Sequence, residues 1–272
     1  MADRHPIDAT QWDATVARYA TIGELVTTPY CLGALDGLNL RPGVRLLDVA
    51  AGTGALALAA ARRGASVLAI DSSPGMMAYL AGRAANAGLA NLDAQVMDGQ
   101  KLDLPDACFD LACSVFGVML FPDHRAGLAE IRRVLAPGGS IGLVVWGPPD
   151  RLAHLKILED AVRDAFPDSG DFERPGGWRA MDSPGGLTGE LERAGFGEVV
   201  VRPLRHEWSI PSAFWLLAQE TDRYPHFDRV HERLGPGSRE RVRGRLLARL
   251  AEEHGDGPFA LPSEAWLAIG RR

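Results

Sequence analysis

The chain has 272 residues, 46% hydrophobic and 24% charged, an ordinary globular balance that supports one core domain with an elaboration. The net charge is −6, and the one basic stretch, RERVRGRLLAR at 239–249, is flanked by acids. This argues against nucleic acid as the main partner, because neutralising phosphates needs a basic face. Cys31, Cys108 and Cys113 form no CxxC pair, the N-terminus lacks an apolar leader, and no segment reaches membrane-spanning length. The expectation is a cytoplasmic protein in a reducing compartment, with no membrane partner.

From Val44 to Trp146 apolar runs alternate with helical stretches. Strands are predicted over 44–50, 66–70, 92–97, 109–115 and 141–146, several of them continuous apolar runs suited to a sheet covered on both faces. Helices are predicted over 55–63, 74–87 and 123–135, with Pro74 near one start and the PGG at 137–139 past one end. Such alternation predicts right-handed βαβ units in a doubly wound α/β sheet. Beyond Trp146 come a breaker (GPPD), a helix over 151–166 and a Pro/Gly/Asp-rich loop over 167–186. A second helix overlaps it from 183 to 194, followed by a strand over 198–203, largely helical sequence over 211–254 and a last strand over 259–271.

The stretch LLDVAAGTG at 46–54 places a turn where open α/β sheets bind ligands, beyond the carboxyl ends of the strands. Gly52 and Gly54 let the backbone bend sharply and approach a ligand. GTGALA also satisfies a loose GxGxxA dinucleotide pattern, which alone is weak. Either kind of nucleoside ligand needs an acid at the end of the second strand. Asp71, 17 residues past Gly54, supplies it, since a carboxylate accepts both hydrogens of a ribose diol. Asp48 helps to separate the two ligands, for a carboxylate ahead of the turn repels a pyrophosphate and attracts an ammonium and a sulfonium. The bland alternative is a buried strand aspartate that only braces the loop. Asp98, ending the third strand, can accept from an adenine amino group, although Asp-Gly is also a common turn.

LLDVAAGTG (46–54), VLAIDSSPGMM (67–77), DGQKLDLPDACFDLACSVFGVMLFPD (98–123) and EIRRVLAPGGSIGLVVW (130–146) together resemble the class I S-adenosylmethionine-dependent methyltransferases. The likeness is to the ubiquinone/menaquinone-biosynthesis and natural-product tailoring branch. It implies a Rossmann-like, doubly wound, seven-stranded sheet whose last strand is antiparallel, with a helical lid inserted near the C-terminus. It implies a helical cap over 1–40, a cofactor-binding core over 41–147, and lid helices with the last two strands over 148–272. It implies S-adenosylmethionine as cofactor, released as S-adenosylhomocysteine. Ala50, Gly52 and Gly54 would line its methionine end, and Asp48 would support the ammonium. Asp71 with Ser72 would hold the ribose, Met76 would pack on adenine, and Asp98 and Gly99 would read the adenine edge. Ser114 would pass the methionine group, and Tyr19 would close over the cofactor.

Two positions depart from the family pattern. Ala50 replaces the first glycine of acid-x-G-x-G-x-G, and Met119 and Leu120 stand where the branch often carries histidines, so no base transfers there. His124 is expected to begin a surface helix. Displacement at a methyl sulfonium needs alignment and no acid. A hydroxyl acceptor needs a base, and His206 and His154 are the candidates among the histidines of the C-terminal region (His154, His206, His226, His231, His254). Trp178, Trp208, Trp215 and Tyr224 read as lid core before they read as a substrate stack, and the apolar, aromatic and acidic-to-neutral lid suggests a small or medium hydrophobic acceptor, methylated on oxygen by preference and on nitrogen or carbon otherwise. No metal-ligand spacing is present, and a monomer or homodimer is expected. The alternatives are a methyltransferase fold that catalyses another reaction such as cyclisation, and an NAD(P)-dependent oxidoreductase.

Overall fold

The computed structural model describes residues 9–170, 172, 174–219 and 225–272, apart from the side chains of Pro225 and His226. Tyr224 and the side chain of His226 therefore lie outside the described residues. The strands are β1 (Arg45–Val49), β2 (Ser66–Asp71), β3 (Leu92–Val96), β4 (Phe109–Val115), β5 (Leu135–Trp146), β6 (Gly197–Ile210) and β7 (Phe259–Arg271). The helices are α1 (Ala9–Asp13), α2 (Val16–Arg18), α3 (Glu24–Gly37), α4 (Ala55–Arg62), α5 (Pro74–Asn86), α6 (His124–Val134), α7 (Ala153–Ala165), α8 (Gly176–Met181), α9 (Pro184–Arg193), α10 (Ala213–Ala218), α11 (Pro225–Leu234) and α12 (Ser238–His254). A π-helical turn, Tyr19–Gly23, joins α2 to α3.

All seven strands form one sheet in the order β3-β2-β1-β4-β5-β7-β6. The first five run parallel, and β7 is antiparallel to β5 from Ser140↔Arg271 to Trp146↔Ala265. This is the doubly wound, seven-stranded sheet with a reversed last strand that the sequence predicts. In β1, Leu46 to Val49 are all buried, because helices cover both faces of a parallel sheet. Helix starts follow local chemistry. The Ser73 hydroxyl accepts from the Met76 amide at 3.1 Å ahead of Pro74, and Asp123 accepts from the Arg125 and Ala126 amides at the start of α6.

Three local expectations need correction. β5 begins at Leu135, straight out of α6: Leu135 pairs with Phe109, residues 136–139 bulge around Gly138 (φ 79°), and Ser140 resumes pairing with Leu111. β6 runs to Ile210 through Pro203, which an edge strand tolerates because a proline's missing N–H need not face a neighbour. The predicted loop over 167–186 contains α8, whose Trp178 and Met181 are buried. Its glycines suggested a loop, but Gly177 is there for a close approach, as a Cβ would stand 2.7 Å from the Met119 carbonyl oxygen.

The chain divides into two compact units, one of Met1–Trp146, Pro175–Leu204 and Ala265–Arg272, the other of Gly147–Arg174 and Arg205–Glu264. The first holds the parallel strands and their helices. In the second, α7 packs against α12, and Leu155, Leu158 and Val162 of the one and Val242, Leu246 and Leu250 of the other are buried. Among the described residues no helix is long and apolar enough to cross a membrane.

Candidate active site

Strand order reverses between β1 and β4, and the turn after β1 sits at that point. Ala50, Gly52 and Gly54 adopt φ values of 57°, 55° and 93°. For Gly54 no other residue serves, since a Cβ would lie 2.1 Å from the buried Leu80 side chain. Ala50 carries a methyl group in a left-handed conformation that disfavours it by roughly 1–2 kcal/mol. Gly117 makes the room, for a Cβ there would come within 2.4 Å of that of Ala50. The family departure at position 50 is thus matched by a glycine just beyond β4.

The turn walls a recess lined by Tyr19, Thr27, Cys31, Asp48, Ala50, Ala51, Ala55, Leu56 and Val115. Asp48, on β1, is only 2% exposed, and its Oδ2 is buried with no hydrogen-bond partner. No Lys or Arg lines the recess. Burial, then the charge of Asp71, pushes the Asp48 carboxyl up to about 7, against the pull of the Ala57 amide. Burial also raises the thiols of Cys31 and Cys113, with Asp48 adding to both.

Asp71 ends β2, one strand over. It accepts from the Gly52 amide and, through its other oxygen, from the Ser73 amide, both at 3.0 Å. Burial raises its carboxyl while the amides of Ser73, Gly52 and Ser72 oppose the rise. Ser72 is exposed, and Met76 is buried on α5. Asp98 follows β3 at the same edge of the sheet, exposed, taking the Gln100 amide at 2.9 Å. Gly99 beside it is pressed by the Phe121 ring, which a Cβ would meet at 2.7 Å. Ser114 is fully buried, with its hydroxyl accepting from the Val118 amide at 3.2 Å.

The structure therefore brings Tyr19, Asp48 and Ala50 into one recess and sets Asp71, Ser72, Asp98 and Gly99 along the same carboxyl edge. His154 and His206 belong to the second unit. The His154 Nδ1 stands 3.0 Å from the Ser263 hydroxyl, its ring meets Trp208 edge-on, and burial lowers its pKa to about 4. Burial also lowers that of His206, on β6. His124 does start a helix, but it lies within 3.3 Å of buried Glu190, alongside Arg125 and Arg193, so it is not a plain surface residue. Sequence reasoning missed Thr27 and Cys31, whose spacing of four on α3 is the helical signal that could have paired them. It also missed Asp13, Glu24 and Arg83, which touch the two ligand-side turns and carry no motif.

A buried carboxylate oxygen without a partner, beside a glycine turn and without a cation, suits a ligand that brings its own positive charge. A pyrophosphate would meet repulsion from it. A methyltransferase domain family model matches residues 46–139. Nocamycin O-methyltransferase of Saccharothrix syringae is 30% identical over 96% of both chains. The chain belongs to the class I S-adenosylmethionine-dependent methyltransferases. Demethylmenaquinone methyltransferase of Mycobacterium sp. (strain KMS) is 30% identical over 74% of this chain and 91% of that one. An uncharacterized protein of Mycobacterium tuberculosis (strain ATCC 25618 / H37Rv) is 41% identical, but the match spans only 47% of this chain and 46% of the relative, about half of its length. Among solved structures, the YcgJ protein of Bacillus subtilis shares the fold at a TM-score of 0.60 and 19% identity, covering 89% of this chain and 98% of that one. The [4+2]-cyclase SpnF shares it at 0.55 and 20%, covering 98% of both.

Proposed function

We propose that this methyltransferase binds S-adenosylmethionine in the recess and transfers its methyl group to a small, hydrophobic acceptor, with oxygen the favoured nucleophile. The observation that carries the reading is the unpartnered Oδ2 of Asp48, which a ligand ammonium would satisfy directly or through one water. Bound there, the cofactor supplies a methyl carbon on a sulfonium whose displacement leaves a neutral thioether.

The chain's own groups then divide the remaining work. Ala50, Gly52 and Gly54 let the backbone pass close to the methionine end, and Ser114 holds the strand end beside Val115, which lines the recess. Asp71 keeps lone pairs beyond those used by the Gly52 and Ser73 amides, enough to accept a ribose diol, with Ser72 next to it. Met76, Asp98 and Gly99 serve the adenine, and Tyr19 covers the recess. For a hydroxyl acceptor a base is needed, and the histidines proposed for it, His154 and His206, belong to the second unit. Burial lowers both pKa values, which keeps the imidazoles neutral at pH 7 and makes them weaker bases than a free histidine. Oxygen is preferred because a relative that matches nearly the whole chain is an O-methyltransferase.

Two measurements test the reading. Calorimetry should give micromolar or tighter binding of S-adenosylhomocysteine and none of NAD; the reverse would return the turn to a dinucleotide site. Tritium transfer from labelled S-adenosylmethionine to a panel of phenols, enols and carboxylic acids should label an ether or ester. Cofactor binding with no methyl consumed against any oxygen, nitrogen or carbon acceptor would favour a non-methylating reaction on the same fold, such as cyclisation.

A further inference from the structure

The segment ahead of α3 is broken into pieces. α1 has five residues and α2 three, neither contributes a buried residue, and a π-helical turn follows. Apart from buried Ile22 and the edge-on contact of Trp12 with Tyr19, the segment has little apolar burial, so polar contacts carry much of its local stability. Two carboxylates make them, one at each end, and each grips a different ligand-side turn. Asp13 reaches the turn after β2: its Oδ1 accepts from the Gly75 amide at 2.8 Å and from the Ser73 hydroxyl. It thereby caps α5 from outside, together with Ser73 and at the positive end of the helix. Glu24 reaches the turn after β1: its Oε1 accepts from the Thr53 hydroxyl and from Arg83, whose Nη1 also donates to the Thr53 carbonyl at 2.8 Å.

Between these grips sits Tyr19. Its ring lies against Gly23, where a Cβ would come within 2.6 Å of it, and faces Gly52, where a Cβ would stand 3.5 Å away. Short π-helical turns concentrate at functional sites, and this one places a recess-lining ring over the glycine turn.

We propose that Asp13 and Glu24 are positioning residues that clamp residues 13–24 across the two ligand-side turns as a strap, whose release admits the ligand and whose closure retains it. The inference rests on the proposed cofactor site for its ligand and on the two grips for its mechanics. Ser73 follows Asp71 by two residues and Thr53 lies between Gly52 and Gly54, so each grip also fixes a backbone segment that the ligand uses.

The test separates the strap from the cofactor reading. Without ligand, trypsin cleavage after Arg18 should quicken about tenfold in Asp13→Asn and in Glu24→Gln, and Asp13→Glu should restore much of the protection. With S-adenosylhomocysteine, stopped-flow mixing should give association and dissociation rates that both rise in the two variants, dissociation by about tenfold, the loss of one charge-assisted hydrogen bond. A defect confined to ligand contacts would raise dissociation alone. Cleavage at the wild-type rate in both variants overturns the strap whatever binds. Protected cleavage sites that open on substitution, in a protein that binds no S-adenosylhomocysteine, would keep the strap and sink the cofactor reading. Unchanged melting temperature for Asp13→Asn, an exposed residue, separates local release from unfolding.

Discussion

Two kinds of buried carboxylate stand in contrast: those of the second unit, like Glu190 of the first, are paired with arginines, and Asp48 of the first is not. In the second, Glu264 is buried between Arg151 at 2.6 Å and Arg205 at 2.5 Å, and Glu159 sits with Arg174 and Arg163. These acids carry their counter-ions with them, and the folded chain is complete without a ligand. In the first, Asp48 is as deeply buried and has no cation, with a second acid, Asp71, close enough to raise it further. Burying an unpaired charge costs several kcal/mol, so a fold selected for stability alone would fill the position differently. The acid left unpaired where the strand order reverses is the feature on which the proposed ligand contact rests, and a paired one needs no ligand.

Removing the acid that faces the sugar should break this contrast most severely. Asp71→Ala deletes both acceptors of the proposed diol and strands the Gly52 and Ser73 amides. S-adenosylhomocysteine affinity should fall by a factor on the order of 10²–10⁴, two hydrogen bonds to a charged group at about 1.5–3 kcal/mol each. Calorimetry reads it directly, and affinity within threefold of wild type would dissolve the assignment of the site.

Asp48→Asn should move stability and binding in opposite directions. The folded carboxyl, at about 7, lies above its ordinary value of 3.8. The folded state therefore holds a proton that the unfolded chain loses, and the contribution to stability, full below pH 4, drains away as pH rises to about 7. The asparagine variant has no proton to lose there, so it should melt at a higher temperature at pH 8, and its advantage over wild type should grow as pH rises from about 4 to about 7. A cationic ligand favours the ionised acid, so S-adenosylmethionine affinity should climb through pH 6–8 in wild type. In the variant that climb should vanish, with affinity about tenfold weaker at pH 8. A pair of flat profiles would mean that Asp48 braces the loop, as the bland alternative has it.

These two acids were legible because they sit at strand ends, where an ordered motif marks them. Thr27 and Cys31 were not, for nothing in α3 distinguishes a helix face that lines a recess from one that packs a core. Neither were Asp13 and Glu24, whose partners lie 62 and 29 residues away on turns that only folding brings near. The sheet itself was readable as apolar runs in order, its β3 edge included, and the extent of the β6 edge was not. β6 outran its prediction because Pro203 stops a central strand but not an edge strand, and α8 was lost because its Gly176 and Gly177 read as a loop, although Gly177 serves close packing.

Ala50 and Gly117 sharpen the same contrast at the level of shape. Gly117→Ala should destabilise the protein by about 1–3 kcal/mol, because the new methyl meets the Ala50 methyl at 2.4 Å and the Ser114 hydroxyl at 2.9 Å. Adding Ala50→Gly removes the first clash and relieves the positive φ, so the double variant should recover part of the loss in urea melts. Additive losses would mean that the two positions do not share the space.

The smallest effect belongs to a paired acid in the first unit. Glu190 is held by Arg125 through two bonds of 2.9 and 3.0 Å, and by Arg193 and His124, which together lower its carboxyl to about 2. Its folded value lies below the ordinary 4.5, so its contribution is present above that pH and drains away as pH falls toward 2. The Arg125 side chain is 62% exposed, and screening trims what its loss can cost. Arg125→Ala should therefore destabilise only slightly at pH 7, and by less still at pH 3, where Glu190 is nearer its protonation point. A larger cost at pH 3 than at pH 7 would show that Arg125 acts through packing on α6 and not through its charge. Ligand affinity should stay the same at either pH, since a carboxylate already supplied with cations has nothing to offer a positively charged ligand.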